Sequence, residues 1–179
     1  TSGIQPGDGV VVSGSIGDHG MASMSVRENL EFESPIRSDS AALGGLVEVM
    51  LTACPSIRMM RDPTRGGVAT SLNEITESCG HGIEIEQDAL PVNEAVASAC
   101  EFLGLDPLLV ANEGKLIAVI PREDADGLIQ AMRSHPLGRD ATIIGRVIAD
   151  EHHMVVARTP VGATRVVTVP IGEQLPRIC

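Results

Sequence analysis

The sequence predicts an α+β fold in which helices cover a mixed sheet. Short apolar runs typical of buried strands recur along the 179 residues, for example at 9–14 and 115–120. Segments with apolar residues at helical spacing lie between them, for example at 39–54 and 68–79. Apolar residues make up 43% of the composition and charged residues 21%, which is typical of a globular domain with a substantial core.

Along the chain the elements are a mixture of strands and helices. The predicted strands are 9–14, 83–85, 115–120, 142–148, 154–158 and 165–169. The predicted helices are 19–29, 39–54, 68–79, 93–103 and 125–132. Asp39 can cap the second helix, and Pro55 and Gly80 end the second and third. The histidine pair at 152–153 lies in a predicted hairpin turn, and residues 170–179 form a tail.

The charge pattern argues against a nucleic acid partner. The formal net charge is −11, and an acidic surface repels phosphate backbones. No stretch approaches the ~20 apolar residues of a membrane span. The first residues also lack the basic-then-apolar pattern of a signal peptide. We therefore expect a cytoplasmic protein without membrane association.

Four cysteines are present, at 54, 79, 100 and 179. No pair has the short spacing of a zinc or redox motif, and the first three lie in apolar segments as small hydrophobic residues. Cys179 differs because it is the last residue, on a tail that reaches roughly 30 Å when extended. A thiol on such an arm can enter a site and then meet a partner. An incidental terminal cysteine is the alternative.

A first glycine cluster joins the first strand to the first helix. It contains Gly14, Gly17 and Gly20, with Asp18 and His19 between the last two glycines. Glycines permit positive φ and close approach of backbone amides to a ligand, and a helix N-terminus favours an anion. The spacing is neither a dinucleotide fingerprint nor a P-loop. A tight strand-to-helix turn explains the same glycines without a ligand.

A second cluster lies before the third helix, at Asp62, Thr64, Arg65, Gly66 and Gly67. Asp62 can ligate Mg²⁺, Arg65 can reach a phosphate, and the glycines free backbone amides at the helix start. A capped helix with an internal Asp–Arg pair is the alternative interpretation.

A third polar segment, Ala111-Asn-Glu-Gly-Lys115, lies between apolar segments. Glu113 is suited there to act as a general base or acid. A solvated turn residue is the alternative.

These three motifs, with the terminal Pro176-Arg-Ile-Cys179, resemble the HypE family of hydrogenase maturation factors. That family belongs to the superfamily of aminoimidazole ribonucleotide synthetase and selenophosphate synthetase. The resemblance covers essentially the whole chain. It implies a three-layer α/β/α domain over 1–169, like the C-terminal domain of aminoimidazole ribonucleotide synthetase, and a flexible tail over 170–179. The family's N-terminal ATP-binding domain is absent from these residues, so we expect no ATP hydrolysis by this chain alone.

The resemblance also implies an activity, that of an ATP-dependent carbamoyl dehydratase. The carbamoyltransferase HypF places a carbamoyl group on the terminal thiol, and ATP phosphorylates its oxygen. Loss of phosphate then leaves a thiocyanate, whose cyano group passes to iron on the HypC–HypD complex for [NiFe] hydrogenase. The full-length family members are expected to be homodimers.

The resemblance assigns roles by position. Cys179 carries the group, Glu113 is the base, Asp62 binds Mg²⁺, and Pro176 and Arg177 position the tail. The residues expected to face the phosphates of ATP are Gly14, Gly17, Asp18, His19, Gly20, Thr64, Arg65, Gly66, Gly67 and Asn112. Two other interpretations stay open: a binding module that presents Cys179 to partners, and a sister ATP-dependent synthetase acting on a free small molecule.

Overall fold

The computed structural model describes residues 3–30 and 35–169, which contain seven strands and five α-helices. The strands are β1 (Gly9–Val12), β2 (Met59–Arg61), β3 (Gly82–Glu86), β4 (Ile117–Ile120), β5 (Thr142–Ile148), β6 (Val155–Arg158) and β7 (Thr164–Val166). The helices are α1 (Asp18–Arg27), α2 (Gly44–Ala53), α3 (Gly67–Cys79), α4 (Glu94–Leu103) and α5 (Ala125–Arg133). The predicted tail, 170–179, lies outside the described residues.

All seven strands form one mixed sheet in the order β2-β4-β1-β5-β3-β6-β7. The β3–β6 pair is parallel, and the other neighbouring pairs are antiparallel. β1 and β4 are central strands, and the candidate site begins where each of them meets a loop. The predicted mixed sheet is therefore confirmed.

Helices cover both faces of this sheet. Because side chains alternate along a strand, Val10 and Val12 of β1 face one core while Val11 faces the other. The first core contains Leu72 of α3, and the second contains Leu128 of α5 together with apolar residues of α2. This arrangement confirms the three-layer α/β/α fold. Its two apolar cores fix the sheet between the helices.

A smaller apolar cluster joins α1 to α4 and reaches the third motif. Met21 and Met24 of α1 pack with Val96 and Cys100 of α4 and with Val110, all of them buried. Full burial of one such side chain contributes about 1.5–3 kcal/mol. Because Val110 lies two residues before Asn112, this cluster holds the first and third motifs at a fixed separation.

No helix in 3–30 or 35–169 is long and apolar enough to cross a membrane.

Asp39 does not cap the second helix, and that prediction is wrong. α2 begins five residues later, at Gly44, with Leu43 at the N-cap position. The Asp39 carboxylate instead forms an ion pair with Lys115, with 2.5 Å between Oδ2 and Nζ. The Asp39 side chain therefore pairs with a residue distant in sequence, although the local sequence predicted it as a helix cap.

Two other local predictions also needed tertiary information. Met59–Arg61 forms the edge strand β2 by pairing with β4, although no strand was predicted there. The turn at 152–153 does not close a hairpin, because β5 and β6 each pair with β3 and not with each other. β6 and β7 correspond to the two predicted strands at 154–158 and 165–169, and they pair antiparallel with each other.

Candidate functional site

The side chain of Asn112 joins the three sequence motifs. Its Oδ1 accepts a hydrogen bond from the Gly17 N–H at 2.8 Å. Its Nδ2 donates to the carbonyl oxygens of Pro63 at 3.1 Å and Val110 at 3.0 Å. The residue is fully buried, and both amide hydrogens are used. Asn112 therefore fixes the positions of the loops from the interior of the protein. We assign it that role in place of direct contact with phosphate.

The glycines of the first cluster let its loop lie against the third motif. Gly17 has a φ of 84°, which favours glycine, and it precedes α1. A Cβ atom on Gly20 would lie 2.5 Å from Cγ1 of Val110. The Gly20 N–H donates to the Ala111 carbonyl oxygen at 3.0 Å. Small residues at these positions are therefore required for the two segments to meet.

Two polar side chains of the same loop have partners within the protein. Asp18 is buried in the first turn of α1, where its charge complements the helix dipole. Its oxygens accept hydrogen bonds from Ser15 Oγ at 2.5 Å and from Asn93 Nδ2 at 2.6 Å. His19 Nδ1 lies 2.8 Å from Ser38 Oγ. These contacts fix the loop, and contact of Asp18 or His19 with phosphate stays a prediction.

The second cluster has a similar construction. Gly66 and Gly67 both have positive φ, 69° and 62°, where the chain turns into α3. A Cβ atom on Gly67 would lie 2.5 Å from the carbonyl oxygens of both Leu108 and Val110. The Gly67 N–H donates to the Thr64 carbonyl oxygen at 3.1 Å. The loop is therefore pressed against the segment that leads to Asn112.

The charged side chains of the site lie on the outer side of these loops. Asp62 and Arg65 are exposed, and Thr64 and Glu113 are half-buried. An exposed guanidinium can bind phosphate oxygens, and a half-buried carboxylate can accept a proton. The structure therefore brings the three motifs together, with Asp62 and Arg65 exposed and Thr64 and Glu113 partly exposed.

A magnesium ion fits this arrangement only in part. Within the described residues no group of three or more His, Cys, Asp or Glu side chains could hold a metal ion. Mg²⁺, however, usually uses one or two carboxylates together with phosphate oxygens and water. The exposed carboxylate of Asp62 meets that requirement, since the nucleotide would supply the other ligands.

Sequence reasoning missed two contributors to the site. Asn93 was read as the start of a helix, but its side chain donates to Asp18. Lys115 belongs to the third polar segment and was given no role there, but it pairs with Asp39 and its side chain lies against Gly14. The only sequence signal was its position in that segment. Cys179, Pro176 and Arg177 lie outside the described residues.

The comparison with known families covers the fold from β1 to the end of β6. The family described as "AIR synthase related protein, C-terminal domain" matches residues 5–158. The chain belongs to this family. The match ends near β6, so the predicted domain boundary at residue 169 stays a prediction.

Within the AIR synthase related family the chain is most informatively compared with HypE. It is 58% identical to the carbamoyl dehydratase HypE of Azotobacter vinelandii over 175 residues, 98% of this chain and 51% of that protein. A HypE–HypF complex contains a chain with a TM-score of 0.91 and 49% identity, over 94% of this chain and 55% of that one. A HypE structure in complex with ATP has a TM-score of 0.92 and 42% identity, over 99% of this chain and 54% of that one. The resemblance to the HypE family is confirmed, and the chain spans about half the length of the relatives it matches.

Proposed function

We propose that this chain is the C-terminal half of an ATP-dependent carbamoyl dehydratase of hydrogenase maturation. The observation that carries the proposal is 58% identity to a carbamoyl dehydratase over 98% of the chain. The meeting of three motifs at Asn112 supports it, because it brings the second motif, with the exposed guanidinium of Arg65, against the other two. HypE has also been solved with ATP and with HypF.

The proposed substrate is a carbamoyl group on the sulfur of Cys179. Its oxygen attacks the γ-phosphorus of ATP, the bond to ADP breaks, and the nitrogen gives up one proton. The carbon–oxygen bond then breaks as phosphate leaves, the nitrogen gives up its second proton, and a carbon–nitrogen triple bond forms. Phosphate carries the oxygen away, and the thiocyanate remains on sulfur. Two protons must be accepted during this sequence.

Glu113 is the proposed acceptor of those protons. Its neighbour Asn112 is fixed by three side-chain hydrogen bonds, so the backbone that presents Glu113 is well determined. Half-burial lets the carboxylate meet a substrate that enters from the surface. Precise placement of a base matters because proton transfer requires hydrogen-bond distance.

The phosphate-binding groups proposed here are the exposed guanidinium of Arg65 and the backbone at Gly14 and Gly66. The N–H groups of Gly17, Gly20 and Gly67 already donate hydrogen bonds within the protein, so those glycines shape the loops instead. Mg²⁺ would be held by Asp62 with phosphate oxygens and water, and would neutralise phosphate charge. Pro176 and Arg177 are proposed to direct the tail toward these groups.

The other half of the protein and its partners complete the proposal. The N-terminal half is proposed to supply most ATP contacts and the homodimer interface. HypF is proposed to deliver the carbamoyl group, since HypE has been solved in a complex with HypF. The HypC–HypD complex is proposed to receive the cyano group.

The experiment separates carbamoyl transfer from dehydration. Full-length protein is first carbamoylated with HypF and carbamoyl phosphate, then mixed with ATP and followed by intact mass. Glu113→Gln should keep the carbamoyl adduct and dehydrate it about 100-fold more slowly. Asp62→Asn should also slow dehydration, mainly by weakening the use of ATP and Mg²⁺. Glu101→Gln, an exposed carboxylate on α4, is the matched control. Unchanged dehydration in Glu113→Gln and Asp62→Asn would favour a binding module that presents Cys179.

A further inference from the structure

The connection between α1 and α2 crosses the candidate site. Its residues 35–43 contain no helix or strand and are called the strap below. Ser38 Oγ of the strap lies 2.8 Å from His19 Nδ1. Asp39 Oδ2 lies 2.5 Å from Lys115 Nζ. Two adjacent strap residues therefore contact the first motif and the end of the third.

The strap backbone also lies directly on Gly114. A Cβ atom at Gly114 would lie 2.8 Å from the carbonyl carbon of Asp39 and 3.1 Å from the Ala41 nitrogen. Neither distance leaves room for a side chain. Since Gly114 follows Glu113, any movement of the strap changes the backbone next to the proposed base.

The Lys115 side chain connects the strap to the first glycine cluster. Its Cε would lie 3.1 Å from a Cβ atom built on Gly14. The ammonium group that ends this side chain is the partner of Asp39. One lysine therefore spans Gly14 and the strap, and it follows Gly114 in the chain.

The Asp39–Lys115 pair is unusually well buried for an ion pair. The two side chains are only 10% and 11% exposed. Asp39 Oδ1 is buried without a hydrogen-bond partner among the described residues. Burying two charges costs hydration energy that the pair recovers only with good geometry, so such pairs give weak evidence for stability. A role in fixing the geometry of the neighbouring groups accounts better for its place between the first and third motifs.

We propose that Asp39 and Lys115 are positioning residues for the dehydration reaction. They hold the strap on Gly114 and thereby fix the backbone of Glu113 relative to the glycine cluster at Gly14. Lys115 also neutralises a carboxylate that would otherwise repel phosphate beside that cluster. This inference rests on the proposed function, because Glu113 is the group that the pair positions.

The test uses full-length protein that has already been carbamoylated. The single-turnover rate constant of dehydration and the apparent KM for ATP are measured for Asp39→Asn, Lys115→Gln and the double variant. Asp39→Asn should lower the rate constant about tenfold with little change in KM. Lys115→Gln leaves an unpaired carboxylate, so the rate constant should fall and KM for ATP should rise. The double variant has no buried charge and should recover most of the loss, since contacting residues are coupled.

Glu84→Gln is the matched control for loss of an ion pair. Glu84 pairs with Arg146 at 2.8 Å on the sheet, and its side chain is 14% exposed. This change should leave the rate constant unaltered. Circular dichroism and the rate of carbamoyl transfer report on folding. If Asp39→Asn does not fold, Lys115→Gln and the double variant give the same comparison.

A second arm tests action through Glu113. In a Glu113→Gln background, Asp39→Asn should cause no further loss of rate. A wild-type rate constant in folded Asp39→Asn, or a full additional loss in the Glu113→Gln background, would overturn the inference. So would equal losses of carbamoyl transfer and dehydration, which indicate a purely structural pair. Absence of dehydration in the wild type, or a wild-type rate in Glu113→Gln, would instead contradict the proposed function.

Discussion

Asn112 Oδ1 accepts a hydrogen bond from the backbone N–H of Gly17 at 2.8 Å, across 95 positions of sequence. The same side chain donates to the Pro63 carbonyl oxygen, so one buried amide joins all three motifs. A buried polar group is stabilising when every donor and acceptor is matched and costly when one is lost. The arrangement of the site therefore depends on this residue even though it does not face the surface.

Replacing Asn112 tests that dependence. Asn112→Ala leaves the Gly17 N–H and two carbonyl oxygens without this partner, so we expect a loss of about 2–4 kcal/mol in the free energy of unfolding. Asn73→Ala is the matched control, because Asn73 donates to Ala69 and Val167 in a half-buried position away from the motifs. It should cost about 1 kcal/mol. Urea unfolding of both variants measures the difference, and equal losses would contradict the special position of Asn112.

Gly67 offers a second test of how the loops meet. Gly67→Ala places a Cβ atom 2.5 Å from two carbonyl oxygens at a φ of 62°. We expect destabilisation of about 2–4 kcal/mol from backbone strain and overpacking. Gly127→Ala, in α5, meets nothing within 4 Å and should stabilise the protein by about 0.5–1 kcal/mol. Thermal unfolding of both variants is the measurement, and a neutral effect of Gly67→Ala would show that the loops can separate.

The sequence located the loops of the candidate site better than it located the contacts between them. Glycine spacing marked the two loops correctly, because positive φ and close packing leave a local signature at Gly17 and Gly67. The Asp39–Lys115 pair joins residues 76 positions apart and leaves no such signature. The local sequence around Asp39 therefore predicted a helix cap and gave no sign of the ion pair.

The same distinction holds for the fold. Helices and buried strands were predictable from the sequence, since α3 repeats its apolar residues at helical spacing and β4 is a continuous apolar run. The three-residue strand β2 was not, because it is defined by pairing with β4 and has only half-buried side chains. Strand order likewise depends on contacts between distant segments, as in the parallel pairing of β3 with β6.

Cysteine reactivity should differ sharply along the described chain. Burial raises the pKa of the Cys100 thiol to about 11, and the nearby Asp106 carboxylate adds to the shift. Cys54 is also buried, whereas Cys79 is half-buried. Since the thiolate is the reactive form, Cys79 should be alkylated faster than Cys54 and Cys100 in native protein. Mass spectrometry of peptides after timed alkylation checks this order, and rapid labelling of Cys100 would contradict it.

The Cys100 thiol should also cause a loss of folding stability at high pH. Its folded pKa is raised above the ordinary value of 9.0, so the folded state holds the proton more tightly than the unfolded state. The resulting stability is present below pH 9.0 and is lost as pH rises toward about 11. Cys100→Ala should therefore show a weaker fall in urea midpoint over that range than the wild type. Identical pH profiles would contradict the assignment.

The Asp150 carboxylate should make the stability of the fold depend on pH at the acidic end of the scale. Hydrogen bonds from the backbone N–H groups of Met154 and His152 lower its pKa below 3.8. A lowered folded pKa gives stability that is present above 3.8 and is lost as pH falls through the folded value. Asp150→Ala should reduce the urea midpoint at pH 7 and have a smaller effect well below pH 3.8. An equal effect at both pH values would exclude the carboxylate as the cause.

The central claim is that the terminal thiol carries the reacting group. The direct measurement is the intact mass of full-length protein after incubation with HypF, carbamoyl phosphate and ATP, with Cys179→Ala and Cys79→Ala run in parallel. We predict a carbamoyl adduct or its dehydrated form on the wild type and on Cys79→Ala, and none on Cys179→Ala. An unmodified wild type with HypF shown to be active, or an adduct that persists in Cys179→Ala, would contradict the proposal and favour a synthetase that acts on a free small molecule.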